Sequence, residues 1–462
     1  MPWIRAASTT QVAARARAVA RAVRRGLLVV GLLAFARGAE AQVLRTPLPL
    51  PLPRLDLPLN ADAALRDPLA ALSPERLEDL RLTRLRTLVH AHKDVLEADP
   101  HGAPIVKGEI VAWSPTDETL ARLTAQGFAV GRRTSLEEAG ELVVLLPPPR
   151  TRTRDALKTL RRLDPDGTYE FNHLFFASGV ATEPAAAPPA ASAVAPSAAH
   201  DARRVGLIDG GIAATHPVFA DAVLHPWGCS GRVVPSEHGT AVASLLVGSA
   251  AEFHGAAPGA ALFAADVYCG EPTGGSADAI VAALAWMLHE QVSVINVSLV
   301  GPPNAVLERI VGRVLAHGAL IVAAVGNDGP AAPPAYPASY PGVVAVTAVD
   351  ASGHVLFEAG RALHVDLAAP GADMLAAAPP ATYAPVRGTS FAAPLVAGLL
   401  AADLAAPDPA AAAAALLHIE ESAVAPPGKG SPARYGKGIV ATTLRVPPTS
   451  KSDGRNPGAR SF

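Results

Sequence analysis

The chain has 462 residues, half of them apolar, and 39 Lys plus Arg face 41 Asp plus Glu for a formal charge of -2 at pH 7. The length exceeds one ordinary domain, and the apolar share suffices for a sizeable core. So even a charge balance argues against a nucleic-acid partner, because phosphate binding requires cations concentrated on one face.

Residues 1–41 read as a signal peptide. Arg15, Arg17, Arg21, Arg24 and Arg25 precede the apolar run 26–36, and Ala39 and Ala41 supply the small-x-small pattern of a signal-peptidase site before Gln42. The run is shorter than the ~20 apolar residues of a bilayer span, so no stable membrane span is expected there. A basic amphipathic helix held at a membrane is the alternative. Export places the mature protein outside the cytoplasm, secreted or periplasmic. Residues 42–104 combine a Pro-rich extended linker, LRTPLPLPLPRLDLPL, with a helical pattern near 74–97 carried by Leu77, Leu80, Leu82, Leu85, Leu88 and Val89.

Residues 105–177 form a more regular series. IVKGEIVAW predicts a strand, TDETLARLTAQGF a helix capped by Thr116 or Asp117, and FAVGRR a short strand. ELVVLLPPP is a strand stopped by prolines, RDALKTLRRL a helix with Ala156, Leu157, Leu160 and Leu163 inward, and TYEFNHLFF an alternating strand. The order β-α-β-β-α-β implies a small two-layer α+β domain of ferredoxin-like type. Residues 178–202, rich in Ala and Pro, predict a flexible, cleavable linker.

Residues 203–446 alternate apolar strands with amphipathic helices. RVGLID, LFAADVY, SVINVSL, LIVAAVG and VVAVTAV have the length and continuous hydrophobicity of strands covered on both faces. The fold class implied is α/β, a doubly wound and mainly parallel sheet whose ligands bind beyond the carboxyl ends of its strands. Residues 447–462 read as a disordered tail. Cys229 and Cys269 are the two cysteines. In an exported chain such a pair suggests a disulfide, with two buried thiols as the alternative, and their spacing resembles no zinc site.

Four polar residues stand where such a sheet builds its site: Asp209 ending a strand in IDGGI, His238 opening a helix in EHGTAVAS, Asn327 after a strand in AAVGNDG, and Ser390 at a helix start in GTSFAAPLVAG. Singly, each has a bland explanation as a turn residue, a surface imidazole or an N-cap. Jointly they comprise what acyl transfer needs: an alcohol, a base for its proton, a carboxylate to hold the base, and donors for the oxyanion. Pro394, four residues after Ser390, has no N–H for the Ser390 carbonyl and so loosens the first turn, although a proline near a helix start is also simply tolerated.

IDGGI, HGTAVA, AAVGNDG and GTSFAAPLVAG, in that order over some 240 residues, resemble the motifs of the subtilisin-like (subtilase) serine peptidases. The resemblance implies a secreted serine endopeptidase acting on protein or peptide substrates. Asp209 would orient His238, His238 would serve as general base and then acid, Ser390 as nucleophile, and Asn327 as oxyanion donor. It extends to Ser298, Leu299, Val300 and Gly301, which match the substrate-binding segment except that Val300 stands where the family commonly has Gly. Val300 should therefore narrow the primary pocket and favour small or medium apolar residues before the scissile bond, unless its side chain points away. Gly210 is a milder departure from the family's Thr or Ser. The 105–177 unit resembles the family's propeptide, a folding aid and intramolecular inhibitor, which makes the chain a self-processed zymogen with a cut between about 174 and 203. Structural calcium comes with the family, but no metal ligand carries over. His216, His254 and His289 are expected at the surface or at helix ends. The competing reading is a catalytically inactive secreted binding protein on the same fold.

Overall fold

The computed structural model describes residues 73–177, 179–181, 203–250, 253–428 and 430–448. The expected signal peptide, the Pro-rich linker and most of the 178–202 linker and the tail lie outside the described residues. Ser73 is extended and its hydroxyl accepts from the Arg76 N–H, while Pro74 takes the first helical position, so the chain enters helix α1 (Pro74–Ala91). The helix stops short of the expected 97. Residues Leu96–Ala98 instead form strand β1, antiparallel to the start of β2 (Pro104–Trp113).

Thr116 is the cap of α2 (Asp117–Ala125), accepting from the Thr119 N–H, and Asp117 is its first residue. Then come β3 (Ala129–Ser135), β4 (Glu141–Leu146), α3 (Thr153–Leu163), β5 (Thr168–Ala177) and the short β6 (Val180–Ala181). The first sheet runs β5-β2-β4-β3 with antiparallel neighbours. Strand alternation sorts its side chains. Ile110, Ala112, Val143 and Leu145 pack with Leu120, Leu123, Leu157 and Leu160 of α2 and α3, whereas Val111, Leu142 and Val144 join a core on the opposite face. For that reason β5, alternating in sequence, is buried continuously from Phe171 to Phe175.

The opposite face belongs to the larger layer. In chain order this has β7 (Arg204–Asp209), β8 (Leu224–Gly228), α4 (Glu237–Val247), the pair β9 (Ser249–Ala250) and β10 (Phe253–His254), and β11 (Ala261–Asp266). It continues through β12 (Gly275–Ser276), α5 (Ala277–His289), β13 (Val294–Val297), β14 (Leu299–Val300), α6 (Ala305–Ala316) and β15 (Leu320–Ala324). β16 (Val344–Val349), β17 (Leu367–Pro370), β18 (Met374–Ala378), β19 (Thr382–Arg387), α7 (Thr389–Asp403) and α8 (Pro409–Glu421) complete it. The parallel sheet runs β17-β16-β15-β13-β7-β11-β8. β8 and β17 were not among the strands expected, because LHPWG and LAAP are short and carry proline. α4 and α7 cover one face with Val242, Leu246, Leu395 and Val396, and α5 and α6 cover the other with Ile280, Leu284, Ile310 and Val314.

Polar contacts also join the two layers. Asn304 caps α6 through Oδ1, which accepts from the Val306 and Leu307 N–H groups, and donates from Nδ2 to Phe171 O at 3.0 Å. Asn172 donates to Asp278, which also pairs with Arg132. The chain starts its parallel sheet at β7, builds outward to β8 and β11, then crosses to β13, so the carboxyl end of β7 is a topological switch point.

Candidate active site

Asp209 is the last residue of β7 and is fully buried. Its Oδ1 accepts from the Gly210 N–H at 2.6 Å, and both carboxylate oxygens lie 2.9 Å from Nδ1 of His238. Ser236 caps α4 by accepting from the Gly239 N–H, which puts His238 in the first turn, aimed back at the strand ends. With Nδ1–H donating to Asp209, Nε2 is left as the basic nitrogen. That nitrogen is buried and has no hydrogen-bond partner, and the ring lies against Phe391, centroids 5.4 Å apart.

Ser390 follows Thr389, the first residue of α7. The cap is Gly388, at φ 141°, and not the serine, so the N-cap explanation of Ser390 fails. Ser390 Oγ, fully buried, donates to Ser298 O at 3.2 Å. Ser298 returns the contact, its hydroxyl donating to Ser390 O at 2.9 Å while accepting from Asn296 Nδ2. The carbonyl that Pro394 cannot satisfy thus has a partner. Asn327 Oδ1 accepts from the Thr389 N–H at 3.0 Å, an arrangement that directs the other end of the amide, a pair of N–H donors, away from Thr389. The N–H of Ser390 itself belongs to the first turn of α7, where helix backbone donors have no partner within the helix and favour negative charge.

The described chain also runs through this cleft. β5 pairs antiparallel with β14, Ala177 opposite Leu299 and Phe176 opposite Val300, and with β12, Phe175 opposite Gly275. Beyond the cleft, β6 pairs with β19, Val180 opposite Arg387. Phe175 is fully buried against Gly301, where a Cβ would lie 2.5 Å from its ring. Val300 borders a cavity of about 610 Å³ with Pro302, Val325, Gly326 and Asp328.

A model of the subtilase family matches residues 201–438, just over half the chain. The chain belongs to the subtilase family. It is a serine endopeptidase by that membership, and the subtilase layer is 32% identical over 247 residues to a subtilisin of Bacillus pumilus, covering 51% of this chain and 88% of that one. Subtilisin E of Bacillus subtilis (strain 168) is also 32% identical over 247 residues, and there the match covers 51% of this chain and 64% of the relative's length. Among solved structures, fervidolysin from Fervidobacterium pennivorans, a keratinolytic enzyme related to subtilisin, aligns with a TM-score of 0.59 at 19% identity. That alignment covers 74% of this chain and 61% of fervidolysin, and it shows a shared fold.

Several residues of this subtilase site carried no sequence signal. Glu358, 5% exposed, receives Arg387 Nε at 2.6 Å and Nη2 at 3.0 Å. Its carbonyl accepts from Gly329, and Gly360 N donates to Gly326 O at 2.7 Å, so the segment braces both sides of Asn327. Gly326 N in turn donates to Thr389 Oγ1. Cys229 and Cys269 form a disulfide with Cα atoms 5.1 Å apart, beside Asp266 on the strand next to Asp209. Burial pushes the Asp266 carboxyl up, the Cys269 and Tyr268 N–H groups pull it down, and Asp209 adds a push upward. Among the described residues, Cys229, Asp266 and Cys269 are the one cluster of three metal-type ligands, and its two sulfurs are bonded to each other. His216 stands at a helix end, as expected, where its Nδ1 accepts from Val218 N and caps the turn Pro217–Phe219, but it is buried, 1% exposed, with Nε2 meeting Thr382 O. His254 and His289 are exposed.

Proposed function

We propose that the protein is an exported endopeptidase, made as a zymogen that cuts itself, with Asp209, His238 and Ser390 as its triad and Asn327 as oxyanion donor. The observation that carries this is the Asp209–His238 pair facing the start of α7 while the chain's own β5 and β6 lie across the same cleft as a substrate would. Rotation about χ1 of Ser390 would turn Oγ from Ser298 O toward the unpartnered His238 Nε2. Oγ then adds to the scissile carbonyl as its proton passes to Nε2, and Asp209 stabilises the imidazolium. Asn327 and the Ser390 N–H stabilise the oxyanion. Collapse expels the amine with the proton from Nε2, and water repeats the sequence on the acyl-enzyme.

The register supports one internal target. Ala177 is opposite Leu299 before the nucleophile and Val180 is opposite Arg387 after it, so the proposed cut lies between them, and we assign it to the Ser178–Gly179 bond. Gly179 supports this, since a Cβ there would lie 2.7 Å from the Phe391 ring. A serine before the cut suits a pocket narrowed by Val300. Residues 42–178 are then a propeptide that inhibits by occupying the cleft, and the mature enzyme begins at Gly179. N-terminal sequencing of the secreted protein should find Gly179, and Ser390→Ala should keep its full exported length. A purified wild type that neither reacts with a serine-directed phosphonate nor cleaves peptides would sink the reading and favour an inactive binding protein.

A further inference from the structure

Helix α1 lies outside the β-α-β-β-α-β unit, yet one of its faces sits on the peptidase layer. Leu77, Arg81, Arg84 and Leu85 have the i, i+4, i+7, i+8 spacing of a single helical face. Leu77 and Leu85 are the buried residues of this helix. Leu77 packs on Gly329, where a Cβ would come within 2.8 Å of Leu77 Cδ1. Arg84 Nη2 pairs with Asp328 Oδ1 at 2.8 Å. Arg81 holds Glu78 at 2.6 and 2.7 Å and also feels the Asp328 charge. Leu82 and Leu85 line the same cavity as Val300, Val325 and Gly326. Asp328 and Gly329 directly follow Asn327, so the helix touches the peptidase layer next to the proposed oxyanion donor and borders the cavity that Val300 also lines.

We propose that the Asp328–Gly329 surface is a docking site for α1, and that this second contact keeps the N-terminal fragment on the enzyme after the cut. The inference rests on the self-processing reading. Once the Ser178–Gly179 bond is broken, the fragment is held at two places, β5 in the cleft and α1 on its rim. Either contact can open while the other maintains a high effective concentration for its return. Latency after cleavage is therefore set by α1 as well as by the inhibitory strand.

Leu77→Asp combined with Arg84→Glu in the full chain tests this. The cut should still generate Gly179, but the fragment should dissociate roughly a hundredfold faster, by the gain a second linked contact supplies. On size exclusion it should separate from the mature enzyme, with a shorter lag before peptide hydrolysis. Arg84→Glu alone changes an exposed side chain and should give an intermediate rate. In a Ser390→Ala background, where no cut occurs, hydrogen exchange of the amides at 328–332 should rise in the double variant. A double variant that retains the fragment, the lag and the protected amides overturns the proposal. If the wild-type chain fails to cut itself, the processing reading fails separately, and the exchange measurement still decides whether α1 docks.

Discussion

The Asp209–His238 arm of the cleft and the Asn327–Ser390 arm are held by different means. In the first, two side chains from the end of β7 and the start of α4 meet directly, with both carboxylate oxygens 2.9 Å from the ring nitrogen. In the second, Asn327 and Ser390 are placed through a web: Thr389 to Asn327, Gly326 to Thr389, Glu358 to Arg387, and the Ser298–Ser390 exchange. With the roles proposed above, the base is set before the reaction begins, and the alcohol rests on Ser298 O. The contrast teaches that the first arm depends on two residues, and the second on a neighbourhood.

The sharpest way to break the comparison is at its two ends. Ser390→Ala and His238→Ala should each lower kcat roughly a millionfold, and the double variant should fall little further, since such groups act as a unit. A measured additive loss would separate the arms chemically. Asn327→Ala should cost about a hundred to a thousandfold in kcat with little change in KM, as for other single oxyanion donors.

The web makes its own prediction. Arg387→Met leaves the buried Glu358 carboxyl without its ion-pair partner, which should cost roughly 3 kcal/mol in urea unfolding, whereas Arg387→Met with Glu358→Leu should recover most of it. Equal losses in the single and double variants would show that the pair does not brace this arm. Val300→Gly should shift kcat/KM roughly tenfold toward larger residues before the cut, a change of the size a pocket wall provides. An unchanged profile would mean that the side chain does not wall the pocket.

Asp266→Asn should have the smallest effect. Burial raises this carboxyl in the folded protein, so its contribution to stability is full below the ordinary Asp value and declines as pH rises through the raised one. The variant should melt higher than wild type at neutral pH and lose that advantage in acid. A gain that persisted in acid would assign the effect to packing.

The first arm was legible because each residue sits in a local pattern: a carboxylate closing an apolar strand, and an imidazole inside a capped helix start. The parallel sheet was legible from its long apolar runs, and the first sheet from strands and helices of alternating character. β8 and β17 were not, since their prolines and few residues give weak strand signals, and they belong to the sheet through pairing with distant neighbours. Glu358 and Arg387 stand 29 positions apart and neither drew a reading from the sequence. Their pairing depends on the loop after β16 reaching the end of β19, which no local pattern encodes. The burial of His216, a helix-end residue, was hidden for a similar reason: its two hydrogen bonds, one of them to Thr382, make burial tolerable, and the distant one is invisible along the chain.

Among the described residues, the short strands β12 and β14 gain a partner only through β5. On the self-processing reading, departure of that partner would leave two unpaired backbone ladders facing each other across a slot, open to whatever polypeptide can lie flat between them. Helices and compact domains cannot present their main chain in that way. Victims should therefore be loops, tails and denatured polypeptides, with conformation screening them before any side chain is read.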